Sequence, residues 1–280
     1  KWIYSRLNNA AKSMSEAFLS YRYNDAASSA YEYFWNDFCD WYVEATKLST
    51  KSTDASLADV NKEKDRAATI LLDVLVKSLQ LLHPLLPFVT EEIYRKLPDE
   101  ARQNAADMLI TSAYPEYDER LSFPKVEKIF GDLQSLIGLV RTLRSECGIP
   151  PDKKLHTIIQ TGGALAEAFG ENDGLIKLLA GIGELEIKPS AGRPSGSIGM
   201  AGNGFEVFVF VAGAVDTAAL KKKFLHDLEK DQKYIDSLRG KLANEQFIKN
   251  APEQLVEEQK VKLEETLKRT EKFANYLRDI

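Results

Sequence analysis

Three histidines, His83, His156 and His226, and two cysteines, Cys39 and Cys147, are the side chains from which nucleophilic, acid–base or metal chemistry is most readily built. They stand far apart, and no Ser-His-Asp, Cys-His or multi-histidine spacing joins them, so neither covalent catalysis nor a metal centre is expected. The cysteines match no paired redox spacing and fall on the apolar faces of predicted helices, which suits buried, reduced thiols. A glycine-rich stretch from Pro189 to Gly204 carries Gly192, Gly196, Gly199, Gly202 and Gly204. A phosphate loop needs a closing Gly-Lys-Ser/Thr and a helix after it; both are missing, and a flexible hairpin connection is expected instead.

The remaining signals are aromatic and basic. If residues 24 to 47 form one α-helix, Tyr31, Phe34, Trp35, Phe38, Trp41, Tyr42 and Ala45 recur at helical spacing and make a broad apolar face that must be buried. Asp40, Glu44 and Lys47 then project beside its rim, where a planar ligand could be met. Near the C-terminal end, Lys221, Lys222, Lys223, Lys230, Lys233, Arg239, Lys241 and Lys249 could line a strip facing a phosphate backbone. Solvated helical hairpins have this composition too. The net charge of −5 over 280 residues points away from global nucleic-acid affinity, so any such contact must be local.

The elements that must position these groups fall into three blocks: 1–150, 151–215 and 216–280. In the first, residues 3 to 22 form a helix, Asn24 caps the aromatic helix, 48 to 60 read as an exposed loop, and 61 to 82 form a strongly apolar helix ended by Pro84 and Pro87. Phe88 to Leu97 restart a short helix, 98 to 122 are mostly irregular, and 124 to 147 form a fifth helix with Val126, Ile129, Leu133, Ile137 and Val140 inward. The second block is a small α/β module with strands at 155–160, 183–188 and 205–211 and short helices at 164–170 and 173–180. The third is an antiparallel coiled-coil hairpin. Its first arm turns Phe224, Leu228, Asp231, Ile235, Leu238 and Leu242 inward, with Asp231 the only polar occupant. Its second turns Val256, Lys260, Leu263, Leu267, Thr270, Ala274 and Leu277 inward. Each arm reaches about 40 Å at about 1.5 Å per residue, far beyond the bundle. No apolar run is long enough to span a bilayer and no signal peptide is evident, so a cytoplasmic protein without membrane contact is expected.

The segment Phe34-Trp35-Asn36-Asp37-Phe38-Cys39-Asp40-Trp41-Tyr42-Val43-Glu44, preceded by Tyr21-Arg22-Tyr23-Asn24-Asp25-Ala26-Ala27, resembles the anticodon-binding helical domain of the valyl-tRNA synthetase family of class I synthetases. Leu82-His83-Pro84-Leu85-Leu86-Pro87-Phe88-Val89-Thr90-Glu91-Glu92-Ile93-Tyr94 is similar to the helix-turn-helix that closes that bundle. Val140-Arg141-Thr142-Leu143-Arg144-Ser145-Glu146 with Ile149-Pro150-Pro151 resembles its last long helix. Asn244, Phe247, Ala251-Pro252 and Val256 resemble the family's C-terminal arm.

The resemblance implies a mainly α fold: an anticodon-binding bundle over 1–150, a linker module over 151–215, and a coiled-coil arm over 216–280 that lies against the outer corner of tRNA. It implies valine-specific tRNA as the partner, with no DNA, and a monomer. The parent activity would be ATP-dependent joining of valine to tRNA, with ATP and magnesium held in catalytic domains outside this chain. The family's His-Ile-Gly-His signature is absent. Lys12-Ser13-Met14-Ser15 superficially resembles its Lys-Met-Ser-Lys-Ser loop but is out of order and within a helical pattern. The chain by itself is therefore expected to be catalytically inactive and to hold no cofactor, and a helix preceding residue 1 is expected to be missing. Location in the family's bundle makes Trp2, as a base-stacking ring, with Arg6, Asp40, Glu44, Lys47, Lys64 and Arg66, the candidates at the anticodon end. The competing expectations are an isoleucyl-type synthetase, disfavoured because nothing after Cys147 could bind zinc, and a hairpin adaptor that docks proteins and never meets RNA. Salt dependence of RNA binding separates the last from the rest.

Overall fold

The computed structural model describes residues 1–51, 57–102, 107–190 and 192–280, with side chains described outside 49–60. The chain divides into two compact units, Lys1–Gln134 and Ser135–Ile280.

The first unit is helical. Helix α1 (Trp2–Leu19) packs on α2 (Tyr23–Tyr31), which continues without a break through a π-helical segment (Glu32–Val43) into α3 (Glu44–Lys51). α4 (Leu57–Leu82) and α5 (Pro87–Arg95) follow, with Pro87 starting α5 where its missing N–H costs nothing. α3 reaches Lys51 and α4 starts at Leu57, so helix occupies most of the loop expected over 48 to 60; residues 52–56 lie outside the described residues. α2 begins after Arg22 rather than at an Asn24 cap, with Tyr21 in a left-handed conformation (φ 55°) that turns the chain. Between α5 and α7 (Pro124–Cys147) stand a single-turn α6 (Asp99–Arg102) and two 3₁₀ turns, Leu109–Thr111 and Glu119–Leu121. Asn8 holds the second turn by a pair of bonds, donating to the Asp118 carbonyl at 2.9 Å and accepting from its N–H at 2.8 Å.

The π segment changes which aromatics face inward. Each π turn holds more residues than an α turn because its hydrogen bonds span i to i+5. The buried positions therefore run Tyr33, Asp37 and Phe38, while Tyr31 and Trp35 stay exposed at 61% and 52%. These two expected core residues stack on each other on the outer surface, with ring centroids 6.2 Å apart. Phe34, Trp41, Tyr42 and Ala45 are half-buried. The core gathers Trp2, Ile3, Leu7, Met14, Tyr33, Phe38, Val74 and Leu81. Tyr33 and Ser78, both buried, share a hydrogen bond of 2.9 Å. In α7, Ile129 proves 40% exposed, and Phe130 instead packs inward.

The second unit begins in the later turns of α7, where Leu136, Ile137, Val140 and Leu143 are fully buried. Its sheet has the order β2-β1-β4-β3, with β1 (Leu155–Gln160) parallel to β2 (Ile182–Lys188) and antiparallel to β4 (Glu206–Phe210). Helices α8 (Gly163–Glu171) and α9 (Asp173–Ala180) make the crossover that a parallel pair requires. β3 (Ser197–Ala201) lies inside the stretch expected to be a flexible connection and pairs antiparallel with β4. Its glycines serve close packing: a Cβ on Gly199 would come within 3.0 Å of the Phe208 ring, and one on Gly202 within 2.2 Å of Phe205.

α10 (Thr217–Ala243) and α12 (Glu253–Asp279) form the hairpin, with a short α11 (Glu245–Asn250) at the tip. Asp216 caps α10 by accepting from the N–H groups of Ala218 and Ala219. The inward row of α10 is as expected, with Phe224, Asp231, Ile235 and Leu238 buried. α12 differs by one position at every second layer: Gln259, Thr266 and Phe273 are buried, whereas Lys260, Leu267 and Ala274 are exposed. Choosing the apolar Leu267 and Ala274 over polar Gln259 and Thr266 gives the wrong register, because Thr266 satisfies its hydroxyl on the Lys262 carbonyl at 2.7 Å and so buries cheaply.

Candidate nucleic-acid interface

The polar residues expected at one end of the bundle divide into two groups. Trp2 is buried, its ring stacked on Phe130 at 3.8 Å, which leaves no ring face for a base. Arg6 is a strut of the bundle: its Nε donates to Asp37 at 2.7 Å and its Nη1 to Glu127 at 3.2 Å. Glu127 also accepts from Asn9 at 3.0 Å and from Ser5. Burial pushes the Asp37 carboxyl up from its ordinary range, and the Arg6 guanidinium opposes that rise.

The second group lies where α3 meets α4. Asp40 is exposed at the end of the π segment, and Glu44 and Lys47 pair with each other one turn on. Arg66 and Glu63 on α4 face Tyr42, Ala45 and Thr46 across an open cavity of about 420 Å³. Lys64 is half-buried on the same helix. Of the seven candidates, Arg66 alone lines this cavity, with Glu44 and Lys47 on the helix beside it. A flat polar ligand would meet there an aromatic wall, a cation and a carboxylate.

On the hairpin, Lys221, Lys222, Lys230, Lys233, Arg239 and Lys241 are all exposed, and Lys249 pairs loosely with Glu245 at 3.7 Å. Lys223 has a different use, donating to the main-chain carbonyl of Glu146 at 2.7 Å. The buried Asp231 receives the Arg269 guanidinium from the facing helix, Nε at 2.7 Å. That bond holds the Arg269 pKa above its ordinary value.

The base of the hairpin holds polar contacts that composition and periodicity missed. Glu146 accepts from Tyr276 at 2.9 Å and from Lys272, so both helices of the arm end on one residue of α7. Arg141 donates to the Leu179 carbonyl at 2.9 Å, and Arg144 donates to the Gly181 and Pro150 carbonyls at 3.0 and 2.6 Å. Asp279 accepts from the Gly199 N–H at 3.3 Å and pairs with Arg193 at 2.8 Å, tying the end of α12 to β3. Arg141, Arg144 and Glu146 stood in the sequence as a motif without a task. Two of the three histidines have side-chain partners in the fold, His83 with Thr90 at 2.8 Å, and His156 with Glu186 at 2.8 Å and stacked on Phe210. The Lys12-Ser13-Met14-Ser15 segment is inside α1 with Met14 fully buried, not a mobile loop.

Residues 1–159 match the family described as the anticodon-binding domain of tRNA ligases. The chain belongs to this family. Residues 216–280 match a second description, the valyl-tRNA synthetase tRNA-binding arm. Among curated proteins the chain is 45% identical to a valine–tRNA ligase of Treponema denticola over 99% of its length. It is 35% identical to one of Thermotoga maritima and 34% identical to one of Treponema pallidum, each over the whole chain. The chain spans about 30% of the length of these relatives. The two family matches thus cover the bundle and the arm. No described helix is long and apolar enough to cross a membrane.

Proposed function

We propose that this chain recognises and positions valine-specific tRNA for an ATP-dependent valine–tRNA ligase of the cytoplasm. The observation that carries the reading is the joint presence, in one chain, of an anticodon-binding domain and a valyl-type tRNA-binding arm. The bundle meets the anticodon at the α3–α4 cavity, through Arg66 with Glu44, Lys47 and Asp40 around it. The exposed lysines of α10 meet phosphates at the corner of the tRNA. Contacts at two places on the chain fix the RNA's orientation, so that binding energy away from the reacting bond helps deliver the acceptor end to an active site. ATP and magnesium belong to that active site, and the chain acts as a monomer without DNA or membrane contact.

The test is a binding titration of the chain with valine tRNA, the same tRNA carrying a foreign anticodon, and a random RNA of equal length. The reading expects discrimination between the first two and weaker binding of the third. Equal binding of all three overturns it. Valine-dependent ATP–pyrophosphate exchange by the chain alone would overturn the assignment of catalysis elsewhere.

A further inference from the structure

The last turn of α7 carries one acidic residue on which the arm converges. The Glu146 carboxylate takes the Tyr276 hydroxyl at 2.9 Å and the Lys272 ammonium, both from α12. Its main-chain carbonyl takes the Lys223 ammonium from α10 at 2.7 Å. Tyr276 is 1% exposed and packs with Phe224 and Phe273, at centroid distances of 5.6 and 6.1 Å. The arm's own packing row would hold its two helices together without Glu146. What the row cannot do is fix the direction in which the hairpin leaves α7. A pair of helices about 40 Å long, pivoting at its base, converts a small angular error there into a large displacement at the tip.

We propose that Glu146 is a positioning residue for RNA: it sets the angle of the arm against α7, so that the exposed lysines of α10 are held in advance where the tRNA backbone runs. The chemistry suits that task. A carboxylate accepting a charged and an uncharged hydrogen bond in a largely buried place is directional, and each donor comes from a different turn of α12. The backbone carbonyl adds α10, so rotation of the hairpin about either helix breaks a bond. Arg144, two residues earlier in the same turn, braces the same helix end on the Gly181 and Pro150 carbonyls, which keeps the pivot itself from moving. An arm ordered before RNA arrives spares the complex the cost of ordering it on binding. The inference rests on the reading of the chain as a tRNA-binding protein, but the angle of the arm can be measured without RNA.

The test uses the full chain with Cys39→Ser and spin labels at Ser135 on α7 and Lys249 at the arm tip. Pulsed electron resonance should give a narrow distance distribution for the parent chain. Glu146→Ala and Tyr276→Phe should broaden it, and Glu146→Gln, which keeps an acceptor, should restore most of the narrow peak. Binding of valine tRNA should weaken about tenfold in Glu146→Ala, as expected when a second contact is no longer held in reach, while an isolated anticodon stem-loop binds unchanged. An unaltered distribution in both Glu146→Ala and Tyr276→Phe overturns the proposal, and so does a broadened one with unaltered tRNA affinity. If the parent chain binds no tRNA, the proposed function fails instead, and the distance distributions alone decide whether Glu146 sets the angle. Tyr276→Phe guards against misfolding in Glu146→Ala, since it removes one oxygen and leaves the aromatic packing.

Discussion

Arg269 on α12 reaches across the hairpin to Asp231 on α10, its Nε 2.7 Å from the carboxylate, and so neutralises the acidic residue in the arm's buried row. The Asp231 side chain is 7% exposed and the Arg269 side chain 51%, so the carboxylate bears the greater desolvation. Removing the partner strands a buried charge, whereas replacing the acid with an apolar group removes the need for a partner. Arg269→Ala should therefore destabilise the hairpin by about 1–3 kcal/mol. Asp231→Leu should be neutral or stabilising, and the double variant should resemble Asp231→Leu alone. Denaturant unfolding of the four chains checks this, and equal losses from both single variants would contradict it.

The π segment predicts an inversion in the aromatic helix. Tyr33 is 2% exposed and bonded to Ser78, so Tyr33→Ala should cost about 3–5 kcal/mol, as for large buried aromatics. Trp35, 52% exposed, should cost less than about 1 kcal/mol when changed to Ala. A regular α-helix through residues 24 to 47 would bury Trp35 and expose Tyr33, and melting curves would then rank the two variants the other way.

That inversion shows where the sequence was legible and where it was not. Helices α1, α4 and α7 announce themselves by apolar residues at α-helical spacing, and Pro84 and Pro87 mark the break before α5. The aromatic segment is dense enough in large side chains that several phases place apolar groups inward, and the hydrogen-bond pattern of the backbone decides among them. The register of α12 was hidden because polar Gln259 and Thr266 occupy inward positions beside exposed Leu267. β3 was hidden by its glycines, which read as a loop in the sequence; Gly199 and the nearby Gly202 are accounted for only by close packing against Phe208 and Phe205, seen once β3 pairs with β4. For the site, the exposed lysines of α10 were legible as charge. The burial of Trp2 and the internal pairing of Arg6 were not, because Trp2 stacks on Phe130 of α7 and Arg6 bonds to Asp37 of the π segment and Glu127 of α7, partners on other helices.

Cys147 gives a pH prediction. Burial, with the Glu146 charge adding to it, pushes this thiol from its ordinary 9.0 up to about 12. Tyr276 is raised as well, first by burial and then by Glu146. Both groups keep their protons longer folded than unfolded, so unfolding releases protons once the pH passes the unfolded values. The associated stability is complete below about pH 9 and falls as the pH rises from 9.0 toward about 12. Urea midpoints should drop between pH 8.5 and 10.5, and Cys147→Ala should show a shallower drop. Parallel slopes for the two chains would show that the thiol does not contribute.

The central claim is that this chain grips tRNA at its arm as well as at its bundle, and a salt titration tests it most directly. Lys221, Lys222, Lys230 and Lys233 are exposed on α10, and replacing all four by Gln should leave thermal unfolding nearly unchanged, since exposed charges contribute little to stability. Lys223 is kept because it serves the base of the arm. Binding of valine tRNA, measured across a range of salt, should weaken, and the log–log slope should fall in magnitude by about two, as expected if two or three of these cations touch phosphates. Preference for the valine anticodon should be unchanged. A four-lysine variant that binds with the affinity and salt slope of the parent chain would contradict the account, and the hairpin would then be an arm that does not meet RNA.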